Sequence, residues 1–319
     1  MIARIADHCF WLGRYLERAE STARVLFVTR NFSLDAEPQI ADALWRPLVI
    51  VLGEEDHFTA HHGAARMDDG EQVQRYMACD PGNLCSIVRT VEAARENARA
   101  IREVISLEVW ETLNELHLWL HSDEAQAAFA DRRYDFYRAI RQALILCMGQ
   151  TRSTMLHDEP LDFISLGVML ERVGQTGRLL DVDHHVMTQL SQRHQVVETA
   201  LWVALLRGCS GLEPFLKRHS GRVSSRAVAE FLLFEPRFPR SLRYSLRSAN
   251  DCLRKILDAQ LPARPGEATR ARLQSLFHWL EEESQRPLDE TQLHALVTHV
   301  VEETAATCGT LSRELLGSG

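Results

Sequence analysis

Glu17 and Arg18 stand side by side in the stretch Trp11–Val28 (WLGRYLERAESTARVLFV), with Arg14, Glu20 and Arg24 close by on the same segment. A carboxylate can take up a proton, and a guanidinium can fork onto an anion through two parallel hydrogen bonds. Such a cluster could bind a small anionic or zwitterionic ligand, or complete a partner's active site, with Arg18 as the fork and Glu17 as the base. The same residue types also build salt-bridge networks that fix the register of packed helices. The two readings differ in where the charges point, and a second copy of the stretch bears on that.

Ser165–Val182 reads SLGVMLERVGQTGRLLDV, and nine of the eighteen positions aligned with Trp11–Val28 are identical: Leu12/Leu166, Gly13/Gly167, Leu16/Leu170, Glu17/Glu171, Arg18/Arg172, Thr22/Thr176, Arg24/Arg178, Leu26/Leu180 and Val28/Val182. Chance would leave about one identity. The echo continues in order: Leu44-Trp45 with Leu201-Trp202, Asp80-Pro81 and Ser86-Ile87 with Glu235-Pro236 and Ser241-Leu242, Arg99 with Arg254, and Trp119-Leu120 with Trp279-Leu280. The chain therefore reads as an internal duplication, with homologous halves over 1–157 and 158–319 packed as one body about a pseudo-two-fold. Wound at 100° per residue, the repeated positions fall on three sides: Leu12, Leu16 and Leu26; Gly13, Glu17, Arg24 and Val28; Arg18 and Thr22. A surface helix has one face that matters. A helix kept on three sides is expected at the centre of a bundle, its glycines admitting a neighbouring backbone and its charges paired. The halves also differ, since Arg14, Tyr15 and Glu20 face Val168, Met169 and Gly174. If one half carries chemistry, the first has the richer charge set.

The elements that must hold these residues are helical. Leu12, Leu16, Ala19, Ala23 and Leu26 follow helical spacing, and strand alternation is nearly absent. Helices are predicted at about 2–31, 39–53, 70–78, 84–103, 106–122 and 124–155, then 160–190, 194–208, 211–218, 224–234, 238–258, 267–284 and 289–316, with Ser33–Pro38 and His62–Gly70 as surface loops. The fold class is all-α, a bundle of two tandem halves.

Composition sets bounds. The 319 residues are 45% hydrophobic and 25% charged, an ordinary globular balance, and the net charge of −8 argues against a broad nucleic-acid or anionic-membrane footprint. Seven cysteines, odd in number and never in a CxxC, read as reduced thiols of a cytoplasmic protein. The longest apolar stretch, Ala200–Leu206, is too short to span a bilayer. Only Lys217 and Lys255 among 36 basic residues are lysine, so the cationic chemistry is guanidinium chemistry.

Other constellations carry less. Arg95, Arg99 and Arg102 share a helical face beside Glu96, and Arg237, Arg240, Arg243 and Arg247 follow Pro236 at helical spacing. Both sets read first as solvated or salt-bridged faces and second as anion sites. His117 and His121 are four apart with Glu115 nearby, but this is not an HExxH; His57, His61 and His62, and the run Asp181–His185, lack a complete ligand set. No P-loop, GxGxxG, GxSxG or kinase signature occurs.

Gly13-Arg14-Tyr15-Leu16-Glu17-Arg18-Ala19-Glu20, Ala94–Arg99, Glu108-Val109-Trp110-Glu111 with Asn114, Leu170-Glu171-Arg172 and Phe238-Pro239-Arg240-Ser241 together resemble the bacterial alpha-E family over essentially the whole chain. Val168 departs from the Gly-Arg that members commonly show after the second glycine, which puts a symmetric role for that arginine in doubt. Members of that family are typically encoded beside, or fused to, circularly permuted ATP-grasp proteins. The resemblance implies a helical partner subunit of an ATP-grasp-dependent system that forms peptide or amide bonds on a peptide or amino-acid substrate, with ATP and Mg held in the partner and no cofactor in this chain. A homo-oligomer stays open. The competing readings are a stand-alone enzyme acting on an aminoacyl or peptidyl substrate through Glu17 and Arg18, and a non-catalytic scaffold. The residues expected to contact a ligand are Arg14, Glu17, Arg18, Glu20, Arg24, Arg95, Glu171, Arg172 and Arg178, with no metal site.

Overall fold

Two long helices cross at the middle of the molecule, and thirteen shorter ones are arranged around them among the described residues. The computed structural model describes residues 1–35, 37, 41–42, 44–190, 195–221, 223–258 and 265–317, without the side chains of 182–198 and 290. In chain order the helices are α1 (Ala3–Asp35), α2 (Arg46–Val51), α3 (Glu55–His62), α4 (Gly70–Cys79), α5 (Ile87–Ala100), α6 (Leu107–Leu120), α7 (Asp123–Asp131), α8 (Arg133–Thr154), α9 (Glu159–Leu190), α10 (Gln195–Gly208), α11 (Leu212–Arg218), α12 (Ser225–Phe234), α13 (Leu242–Asp258), α14 (Glu267–Glu283) and α15 (Leu293–Leu311). No strand occurs among the described residues.

α1 and α9 are the central pair. α1 packs on α9, α5 and α8; α9 packs on α13 and α15 in turn. Every residue from Ala19 to Arg24 is buried, and so is every residue from Met169 to Gly177. Runs of that length pass through all azimuths of a helix, so both rods are enclosed on every side. One continuous apolar core runs from Ala6 to Leu316.

Several helix starts are set by short side chains. Ser86, Ser106, Ser122 and Ser224 each accept a bond from the backbone N–H three residues on, and Asp69 caps α4 through Glu71 N–H and Gln72 N–H. The Ser86 and Ser241 hydroxyls also tie back to the carbonyls of Asp80 and Glu235, which closes the turns before α5 and α13 in the same way.

Several boundaries differ from the pattern read in the sequence, among them those of the helix expected over 39–53, which turns at Leu44-Trp45, and of the one expected over 238–258, which starts only at Leu242. α1 runs on through Asp35, where a loop was expected. Glu55–His62 is helical although it buries one apolar side chain, Phe58, too little to make a periodic signal, and Ala64–Asp68 forms a 3-10 turn inside the expected loop. The expected helix over 124–155 is two helices. The chain leaves helical geometry at Arg132 (φ −131°, ψ 54°), and the buried Arg133 donates to the Phe129 carbonyl and to Glu71. The last helix starts at Leu293 after a 3-10 turn and ends in a π turn over Ser312–Leu316. No helix among the described residues is long and apolar enough to cross a membrane.

Candidate functional site

The crossing of α1 and α9 is made by two glycines. A Cβ on Gly13 would lie 2.0 Å from the Ile164 carbonyl oxygen, and one on Gly167 would lie 2.1 Å from the Phe10 carbonyl oxygen. Both obstacles are backbone, so no rotamer change could make room. The close approach brings the two Leu-Glu-Arg triplets within reach of each other.

Each glutamate is then held by the arginine of the other helix. Arg18 donates to Glu171 through Nε (2.7 Å) and Nη2 (3.0 Å), and Arg172 donates to Glu17 through Nε (3.1 Å) and Nη2 (2.6 Å). Each carboxylate takes a second guanidinium from elsewhere. Arg14 reaches Glu171 through Nε at 2.7 Å, while Arg240, in the turn before α13, bonds Glu17 and also Glu20 at 2.8 Å. Gln175 adds a bond to Glu171 at 3.1 Å. Two further arginines fasten the rods to backbone carbonyls, Arg24 to Gly208 (2.6 Å) and Arg178 to Val51 (2.8 Å). Arg24 also holds Glu20 and donates to the Ser21 hydroxyl. The Arg172 guanidinium caps the Pro239 carbonyl at 3.0 Å.

The electrostatics follow from this pairing. Burial alone would push the Glu171 carboxyl up, but Arg14 and Arg18 outweigh it and hold it down at about 2. Glu17 is fully buried; that too would raise its carboxyl, yet Arg172 and Arg240 hold it well below the usual carboxylate range. Glu20 is pulled down in the same way, burial being overcome by Arg24 and Arg240. A base for chemistry near neutral pH needs a carboxyl raised toward that pH and a free oxygen. Glu17 and Glu171 have a depressed carboxyl, and both oxygens of each are occupied. Their arrangement does the work of a register lock.

Of the nine residues expected to contact a ligand, the structure gathers Arg14, Glu17, Arg18, Glu20, Arg24, Glu171, Arg172 and Arg178 on the central pair. Arg95 is placed elsewhere: on α5 it donates to Asn114 at 2.8 Å and to Glu96 and lies over the Trp110 ring. Its helix turns that face toward α6, away from the crossing. Arg240 is the residue that periodicity hid. Among four arginines at helical spacing it looks solvated, but it precedes α13 and its guanidinium runs inward. Its neighbours stay outside, Arg243 on Glu281 and Arg247 on the Pro236 carbonyl. The quartet Phe238-Pro239-Arg240-Ser241, already noted as a shared motif, was the available signal.

The histidine constellations have local partners. His121 bonds the His117 carbonyl, and His57 meets Tyr76, whose hydroxyl donates to Glu54 at 2.7 Å. The Asp181–His185 run lies largely outside the described side chains, though Asp181 bonds His294 at 2.8 Å. No group of three or more His, Cys, Asp or Glu among the described residues is placed to hold a metal ion.

Beside the crossing opens a cleft of about 510 Å³, between the end of α8, the first turns of α9 and one face of α13. Leu16, Ile164, Val168 and Met169 form its apolar wall; Arg172 connects it to the seam; Arg152, Asp158, Asp162, Tyr244, Ser248 and Lys255 supply polar groups. The aligned positions on α1 are filled. Trp11 and Tyr15 stack at 5.4 Å, and Arg14 lies over Trp11, where the similar stretch of α9 has Ser165, Met169 and Val168. The cleft thus lies against the stretch with fewer charges.

The fold and this seam define an all-helical bundle whose central rods carry crossed Glu-Arg pairs. The chain belongs to the Alpha-E family, a predicted alpha-helical domain with a conserved ER motif, which it matches over residues 1–316. It is 27% identical over 279 residues to uncharacterized proteins of Mycobacterium bovis and Mycobacterium tuberculosis, a match covering 82% of this chain. The chain spans 31% of the length of those relatives. No solved structure matches it.

Proposed function

We propose that this chain is the helical partner subunit of an ATP-grasp-dependent system that forms peptide or amide bonds in the cytoplasm, with ATP and Mg held in the partner. The observation that supports the partnership is the relatives' length: the matched unit is 31% of a longer polypeptide, so there it is joined to further chain. The identity of the partner, a circularly permuted ATP-grasp protein, comes from the family resemblance. Within this reading the chain is two ancestral copies, 1–157 and 158–319. The reciprocal bonds of Arg18 to Glu171 and Arg172 to Glu17, and the matched ties of Arg24 to Gly208 and Arg178 to Val51, support that descent. The seam serves as the lock between the copies, and the open cleft beside it is the surface on which a substrate is presented.

Co-expression with the neighbouring ATP-grasp protein tests this. A stable complex is expected, together with ligation of amino acids that consumes ATP and requires both chains. Turnover by this chain alone, abolished by Glu17→Gln while circular dichroism stays native, would overturn the proposal in favour of an independent enzyme.

A further inference from the structure

The cleft can be audited group by group. Among its charged residues, Asp162 is paired with Lys255 at 3.5 Å, Glu159 with the chain's own terminal ammonium at 3.0 Å, and Arg172 with Glu17. Arg152 and Asp158 remain. Both line the cleft at its exposed mouth, and neither side chain has a hydrogen bond or ion pair with another described residue. The hydroxyls of Ser165, Tyr244 and Ser248, which also line it, are likewise uncommitted among the described residues. Thr151 and His157 also line it, held on the Cys147 and Arg152 carbonyls, together with Cys252, and the rest of the wall is apolar. A volume of about 510 Å³ lies within the usual range for small-molecule sites.

Among the described residues, one uncommitted cation, one uncommitted carboxylate, three uncommitted hydroxyls and a largely apolar wall specify complementary chemistry. We infer that the cleft is a binding site for a small zwitterion with an apolar body, its carboxylate on Arg152 and its ammonium on Asp158. A free amino acid and a short peptide with both ends unblocked share that chemistry. The opening has a simple origin in the two copies. Trp11, Arg14 and Tyr15 fill the place that Ser165, Val168 and Met169 leave open, so one copy keeps a filled wall and the other holds a site. This deepens the proposed function by placing its substrate, and it rests on that reading only for what the zwitterion is used for.

Calorimetric titration of this chain alone tests it, with leucyl-leucine and leucine as probes and N-acetylated and C-amidated leucyl-leucine as controls. Saturable binding of at least one unblocked probe is expected. Tighter binding of leucyl-leucine assigns the site to peptides, and tighter or equal binding of leucine assigns it to amino acids; either supports the inference. Because both charged residues lie at an exposed mouth, Arg152→Gln and Asp158→Asn should each weaken binding by about threefold to tenfold. Asp158→Asn should leave the affinity for the N-acetylated probe unchanged. Ser165→Trp, which installs the residue of the first copy, should abolish binding with circular dichroism unchanged. If that variant does not fold, the two exposed-site variants still decide. Failure of every unblocked probe to bind, or binding indifferent to end-blocking and to both variants, overturns the inference. Intact binding without partner-dependent ligation would instead overturn the proposed function and leave this site standing.

Discussion

Glu171→Gln is the sharpest perturbation of the seam, because it keeps the shape and removes only the charge. In the native protein both carboxylate oxygens are engaged, by the Nε and Nη2 atoms of Arg14 and Arg18 and by the Gln175 amide. A glutamine offers one carbonyl oxygen to those donors. It also leaves Arg14 and Arg18 facing each other with Arg178 close enough to be repelled by both. Removing one partner from a buried ion pair typically loses about 3–5 kcal/mol. Linkage gives a second figure: a carboxyl held at about 2 in the folded state, against an ordinary glutamate, corresponds to roughly 3 kcal/mol. The Arg14 and Arg18 side chains retain 18% and 22% exposure, so water relieves part of the strain and the lower end applies. The expected loss is about 3 kcal/mol by urea unfolding followed with far-ultraviolet circular dichroism. A loss under about 1 kcal/mol with an unchanged denaturant slope would falsify the claim that this glutamate locks the crossing.

Further outcomes follow from the same geometry. Gly13→Ala should lose about 3 kcal/mol or fail to fold, since its Cβ meets backbone at 2.0 Å, whereas Gly149→Ala, with nothing within 4 Å, should gain about 1 kcal/mol from helix propensity; scanning calorimetry giving equal shifts for the two would refute the close crossing. Glu17, Glu20 and Glu171 all have carboxyls below their unfolded values. Their stabilisation is therefore complete above the ordinary carboxylate range and lost as pH falls below about 4, that of Glu171 through about 2; a melting temperature already falling between pH 7 and 5 would contradict this. Burial pushes the Cys9, Cys147 and Cys252 thiols up to about 12 and those of Cys79 and Cys85 to about 11. Iodoacetamide at neutral pH should label these five slowly in the native protein and rapidly in urea, and mass spectrometry showing rapid native labelling at any of them would contradict it.

The central rods were legible because two similar stretches carry the same residues on three sides of a helix. Only an enclosed helix constrains that many directions, so Gly13, Glu17 and Arg18 could be placed at the centre of a bundle from the sequence. Arg240 was not legible by spacing, because it stands in a turn whose direction is set by the Ser241 hydroxyl reaching back to Glu235, and periodicity describes helices alone. Arg95 misled for the opposite reason: its helical face is real, but which neighbour that face meets depends on how α5 is rotated. The cleft was not read from the sequence. The exchanges of Trp11 for Ser165 and Arg14 for Val168 show lost volume, yet whether α8 and α13 close over the gap is a matter of packing. Glu55–His62 lay below any pattern, with Phe58 its one buried side chain.

The partners of Glu17 lie 155 and 223 residues further along the chain. During synthesis, then, Glu17 stays without its two arginines until Arg172 and Arg240 have both been made. Amino-terminal segments of most multi-unit chains settle while the remainder is being translated. A chain stopped near residue 157 would keep the packing of α1 on α5 and α8 but leave Glu17 without either of its arginines.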